Sequence, residues 1–171
     1  MGTHEQPFDR LVKELDRLAE KEMIDEEVFI QTGYSTYIPR FCAHEVFVSF
    51  DDMLQKIDEA RIVVTHGGPG SIMSVLYHGK IPVAVPRQKV FSEHVDDHQV
   101  RFVQTLEKNN SVIAVYDISE LESAVKDYDE KVSRLEHADK RESDKRKKVR
   151  QFEARLDELC RSLLTPKKTK K

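Results

Sequence analysis

Arg61-Ile62-Val63-Val64-Thr65-His66-Gly67-Gly68-Pro69-Gly70-Ser71 carries the most structural information in the sequence. A short apolar run rich in β-branched residues enters a turn with three glycines, and residues compatible with a helix follow to His78. That order, strand then glycine-rich turn then helix, is the opening half of a strand–helix–strand unit. The glycines let the backbone turn sharply and approach a bulky anion closely. A helix beginning near Ser71 and stopped by Gly79 offers unpaired N–H groups and the positive end of its dipole, a ready phosphate site. The Ser71 hydroxyl adds a donor. No lysine stands where a P-loop requires one, which argues against ATP or GTP hydrolysis. Taken alone, the segment also fits a structural tight turn, with His66 a satisfied buried histidine.

The same alternation repeats on either side of this segment. Phe8, Leu11, Val12, Leu15, Leu18 and Ala19 recur at helical spacing behind Pro7, a favoured first-turn residue. Residues 27–31 read as a strand ended by Gly33, and residues 45–49 as a second. Ser49 caps the next helix, whose buried side is predicted to carry Met53, Leu54, Ile57 and Ala60. Residues 81–86 and 112–116 give two more strands; a helix spans 95–106, and Ser119 with Glu122 forms a capping box for another. Continuously apolar strands alternating with helices predict an α/β fold, a doubly wound, Rossmann-like and mostly parallel sheet. Such sheets bind ligands at the carboxyl ends of their strands.

The 171 residues suit one domain, 1–130, with an appendage, 131–171. Residues 131–171 hold 15 Lys and Arg against 7 Asp and Glu, whereas residues 1–130 hold 13 against 24. A seam of Val149, Phe152, Leu156, Leu159 and Leu163 predicts a C-terminal amphipathic helix ahead of a basic tail. It reads either as a solvated helix folded back on the domain or as a surface for a partner or an anionic membrane. The tail lacks interleaved aromatics, so nucleic acid is not an expected partner. No apolar run approaches the ~20 residues of a membrane span, and the N-terminus lacks a secretory layout. A cytoplasmic protein is expected. Two cysteines and a single His94/His98 pair give neither a disulfide framework nor a metal-ligand set, so no metal and no cofactor are expected.

The ordered motifs His66-Gly67-Gly68-Pro69-Gly70-Ser71, Gly79-Lys80-Ile81-Pro82, Pro86-Arg87-Gln88 and Glu93 through Gln99 go together with Gly2-Thr3-His4-Glu5-Gln6-Pro7 and Gln31-Thr32-Gly33-Tyr34. As a set they resemble the donor-binding half of GT-B glycosyltransferases of family 28. The resemblance is nearest to small exopolysaccharide and capsule glycosyltransferase subunits. These are akin to the soluble subunit of the two-part eukaryotic enzyme adding the second N-acetylglucosamine to dolichol-linked sugar. It covers about residues 2–130 and implies one GT-B half-domain that binds a UDP-sugar. A separate membrane-anchored subunit would bind the acceptor, a lipid-linked saccharide, and hold this chain at the inner face of the membrane. The exopolysaccharide relatives favour galactose as the sugar.

By that resemblance Gly67, Gly68, Gly70 and Ser71 face the diphosphate, with Gly2 and Thr3 in a further phosphate-side loop. His66 borders the pocket; Asp97, His98 and Gln99 reach sugar hydroxyls, and Arg87 or His66 assists the leaving group. His4 and Glu5 are the candidate bases within this chain, unless the partner supplies one. Two departures stand out. Relatives usually carry a hydrophobic strand, central in the sheet, before the Gly-Thr pair, where this sequence has Met1. Many also place Glu eight residues after the histidine to hold the ribose, where this sequence has Ser74. An epimerase-like activity needs two such halves in one chain. The competing reading is a non-catalytic sugar-nucleotide-binding subunit that only supports a partner.

Overall fold

The computed structural model describes residues 5–139. The chain divides into two units, residues 1–138 and 139–171, and the fold below is that of the first. Gly2, Thr3, His4 and the seam from Val149 to Leu163 lie outside the described residues.

The element order is α1 (Asp9–Glu20), β1 (Phe29–Gln31), β2 (Ala43–Glu45), α2 (Phe50–Glu59), β3 (Val64–His66), α3 (Pro69–Tyr77), β4 (Val83–Val85), α4 (His98–Lys108), β5 (Ile113–Ala114), α5 (Leu121–Lys126) and α6 (Tyr128–Asp139). Every strand pairing among the described residues is parallel, as the apolar strands predict, but these strands form two sheets rather than one: β1–β2 and β3–β4–β5. Among the described residues no ladder joins β1 to β3.

Strand β4 explains why both faces of the larger sheet are covered. Its side chains alternate between faces. Val83 and Val85 pack with Leu11, Val12 and Leu15 of α1 and with Leu121 and Val125 of α5. Ala84 points the other way, into a second cluster with Ile72 of α3 and Val103 of α4. Fully burying such aliphatic side chains contributes about 1.5–3 kcal/mol apiece, before conformational entropy is subtracted. Ile30 of β1 joins the α1 cluster, so one apolar layer underlies both sheets. No helix among the described residues is long and apolar enough to cross a membrane.

Several boundaries differ from expectation for local reasons. The second strand ends at Glu45 and does not extend to Ser49, and Val46 and Phe47 are exposed. The buried Asp16 carboxylate captures the amides of Arg40, Phe41 and Cys42, which sets the chain entering that strand earlier. Helix α4 starts at His98, because Asp96 Oδ1 accepts the His98 N–H in a preceding turn. The capping box is replaced by Asp117, whose Oδ1 accepts the Ser119 N–H at 3.0 Å. Pro7 lies outside α1, which begins after Phe8. On α2 only Ile57 is fully buried. Ser49 does cap α2, accepting the Asp52 N–H. Gly79 does stop α3, at φ +75°, with its N–H on Leu76 O and that of Lys80 on Val75 O.

Candidate functional site

The carboxyl end of β3 delivers the chain into the N-terminus of α3. Gly68 is the N-cap residue in extended conformation, and Pro69 occupies the first turn, where its missing N–H costs nothing. The cap has no side-chain hydrogen bond. The Ile72 N–H is the first to find a helical partner, Gly68 O, at 3.1 Å. The N–H groups of Gly68, Gly70 and Ser71 therefore stand at the end of the helix that carries its positive dipole charge.

The glycines serve this loop differently from the sequence expectation. None of the three has a positive φ; among the glycines of the described residues, Gly33 and Gly79 do. They are required by proximity instead of by the turn. A β-carbon on Gly67 would meet Gln99 Cβ at 2.9 Å and Pro86 Cβ at 3.0 Å. One on Gly68 would collide with Nε2 of His66, whose imidazole folds back over the loop. Beside Gly70 there is nothing within 4 Å. One side of the loop is thus packed against the rest of the domain, and the other is open.

Three predicted segments meet on the packed side: Gly67, Pro86-Arg87 and Gln99. Gln99 is buried, and its Oε1 accepts the Arg87 backbone N–H at 3.2 Å. Arg87 is 1% exposed. Its Nη1 donates to the carbonyls of Gln6, Pro7 and Glu93, and its guanidinium lies 4.7 Å from the centre of the Phe8 ring. Burial lowers its pKa, against the Glu93 charge that raises it. This arginine holds the N-terminal approach to the 86–93 loop, a positioning task where the resemblance implied contact with the leaving group. Asp97 is exposed and accepts the Lys89 N–H at 2.9 Å; exposed His98 puts Nδ1 2.5 Å from Asp96 Oδ1. Glu5 is exposed. Gly2, Thr3 and His4 lie outside the described residues.

The family model of the glycosyltransferase family 28 C-terminal domain matches residues 1–156. This chain belongs to that family. Over 56 residues the family 28 chain is 34% identical to the UDP-N-acetylglucosamine transferase subunit ALG13 of Yarrowia lipolytica (strain CLIB 122 / E 150), a match covering 33% of this chain and 26% of that protein. The matched stretch is therefore about a quarter of the curated relative's length. No solved structure matches the chain.

Around the family 28 loop, the structure gives supporting roles that the sequence does not reveal. Glu93, 4% exposed, takes both Nε and Nη2 of Arg10 at 2.9 and 3.0 Å and the Gln88 N–H at 3.0 Å. Arg10 Nη2 also donates to Pro86 O at 3.2 Å, so α1 is tied directly to the loop after β4. Asp16, 1% exposed, accepts from Tyr37 Oη at 2.7 Å and from the three amides of residues 40–42. Asp9 accepts from the Thr36 N–H and hydroxyl. A signal was present: Asp9 and Asp16 are seven residues apart and so share one face of α1. Lys80, quoted as part of a motif, caps the carbonyls of Ile57, Asp58 and Ala60 at the end of α2.

Proposed function

We propose that this chain is the catalytic, donor-binding subunit of a two-component glycosyltransferase. It would move a hexosyl group, galactose being the favoured one, from a UDP-sugar to a lipid-linked saccharide in exopolysaccharide or capsule synthesis. The observation that carries the reading is the uncapped N-terminus of α3, with the amides of Gly68, Gly70 and Ser71 beside open space at Gly70. Fixed N–H dipoles stabilise a diphosphate anion with little reorganisation. Family membership and the similarity to the Yarrowia UDP-N-acetylglucosamine transferase subunit support a nucleotide-sugar donor.

In the proposed reaction an acceptor hydroxyl oxygen attacks the anomeric carbon. The bond from that carbon to the β-phosphate oxygen breaks, and UDP departs with the electron pair. The developing charge falls on the α3 amides, so the step calls on no metal or cofactor. The acceptor proton passes to a base, His4 or Glu5 in this chain or a group of the partner. His66 borders the donor, and Asp97 and His98 lie toward the sugar. Gln99 and Arg87 act by holding the loops in register. The membrane-anchored partner would bind the acceptor and bring the chain to the inner face of the membrane.

Transfer of labelled sugar from UDP-galactose and UDP-N-acetylglucosamine, with and without the partner subunit, tests this. Transfer by the pair, abolished by Gly68→Asp, is expected. UDP binding without turnover in the complete pair would favour the supporting, non-catalytic subunit instead.

A further inference from the structure

The turn leading into α4 gathers three groups that the proposed transfer does not need together. His94 and His98 are four residues apart, too few for a metal set by count alone. The fold adds Asp96 between them. Ligand atoms of His94, Asp96 and His98 lie within 4.8 Å of one another. His94 Nδ1 is 3.3 Å from Asp96 Oδ1, and His98 Nδ1 is 2.5 Å from the same oxygen. Bonds of ~2.0–2.1 Å to a tetrahedral zinc place neighbouring ligand atoms roughly 3.3 Å apart. The first separation already suits an ion; the second needs to open by under about 1 Å on an exposed side chain.

The orientations agree with the spacing. The imidazoles meet edge to face, their centres 4.5 Å apart, across one shared carboxylate. The Asp96 N–H donates to His94 Nδ1 at 3.4 Å, a long hydrogen bond on the lone pair that an ion would take over. His94 is buried and fixed, while Asp96 and His98 are exposed, so an ion has both a rigid ligand and a path in. Two nitrogens with one carboxylate oxygen suit a borderline ion. Magnesium and calcium prefer shells of oxygen.

We propose that His94, Asp96 and His98 bind one divalent transition-metal ion of the zinc class, with water in the fourth position. The ion would pin the turn to the first residue of α4, next to Gln99 and hence to the wall behind Gly67. This inference goes beyond the donor-binding reading and does not depend on it.

The test uses the full chain without a polyhistidine tag, cleared of metal and free of nucleotide. Zinc is titrated in competition with a chromophoric chelator, and cobalt(II) is followed by its visible absorption. One equivalent of zinc is expected, with tetrahedral cobalt bands and no displacement by magnesium. Asp96→Asn and His98→Ala, both at exposed positions, should each weaken zinc at least ~10–100-fold, the loss that even outer-shell changes produce. His44→Ala should leave it unchanged, and circular dichroism checks that each variant is folded. Absence of stoichiometric binding, or binding that the two variants leave intact, would overturn the proposal and identify the cluster as a hydrogen-bonded turn.

Discussion

Gly67 and Gln99 approach so closely that a β-carbon on the glycine would stand 2.9 Å from the glutamine's own. The loop after β3 and the start of α4 are therefore one packed unit. Gly67→Ala must push these segments apart, at about 1–3 kcal/mol, the usual cost of overpacking. Gly70→Ala meets nothing, and alanine suits the first turn of α3, so stability should hold or rise by about 0.5–1 kcal/mol. UDP affinity should nevertheless fall in both variants, because the new methyl at residue 70 occupies the open side. Urea midpoints alongside calorimetry separate the two effects. Equal destabilisation by the two substitutions would contradict the packing described.

Arg10 and Glu93 form a two-point ion pair with side chains 14% and 5% exposed. Replacing Glu93 with Gln leaves Arg10 short of a partner and loses the charged acceptor of the Gln88 amide. Breaking a buried pair from one side costs about 3–5 kcal/mol. Denaturant unfolding of Glu93→Gln measures it, and a loss under about 1 kcal/mol, the range of exposed pairs, would mean that the contact is solvated.

Asp16 gives stability a pH dependence with a definite sign. Burial by itself raises its pKa, but the Tyr37 hydroxyl and the amides of Phe41, Arg40 and Cys42 hold the carboxyl below its ordinary 3.8. A lowered folded value contributes stability that is complete above the ordinary pKa and lost as pH falls through the folded one. The stability gap between the natural chain and Asp16→Asn should be full at pH 7 and shrink below about pH 4. Urea titrations at pH 7 and pH 3 check this. A gap that widens in acid would reverse the assignment.

Cys42 should be inert while the domain is folded. Burial first, and then the charge of Asp16, push its thiol up to about 12. At pH 8 almost no thiolate forms, and the thiolate is the nucleophile. In a chain carrying Cys160→Ser, a thiol-reactive dye should label Cys42 only after denaturation. Fast stoichiometric labelling of the native protein would show the site to be open.

Much of this architecture could be read from residue order. The apolar runs at 61–65 and 81–86, separated by a helix-length segment, imply parallel strands because no hairpin turn joins them. Ser49 and Gly79 announce a helix start and a helix stop by local chemistry alone, and both do what they announce. Tertiary placement was not legible. An arginine in a candidate loop reads as a ligand group, but Arg87 is buried under carbonyls contributed by Gln6 and Pro7, some 80 residues earlier. Gly67 reads as a flexible turn residue, whereas it is small because Pro86 and Gln99 arrive from elsewhere. Nothing local in the sequence brings the 36–42 loop onto Asp9 and Asp16 of α1, where its amides end.

Calorimetric titration of UDP into the folded chain, alone and with its partner subunit, decides whether the amides at the start of α3 hold a pyrophosphate. Saturable binding is expected, and Gly68→Asp should abolish it by placing a carboxylate where the phosphate would sit and pushing the His66 imidazole off the loop, while the far-ultraviolet spectrum stays unchanged. A folded chain that ignores UDP even with its partner, or binds it equally well with aspartate at residue 68, would show that the α3 amides hold no pyrophosphate.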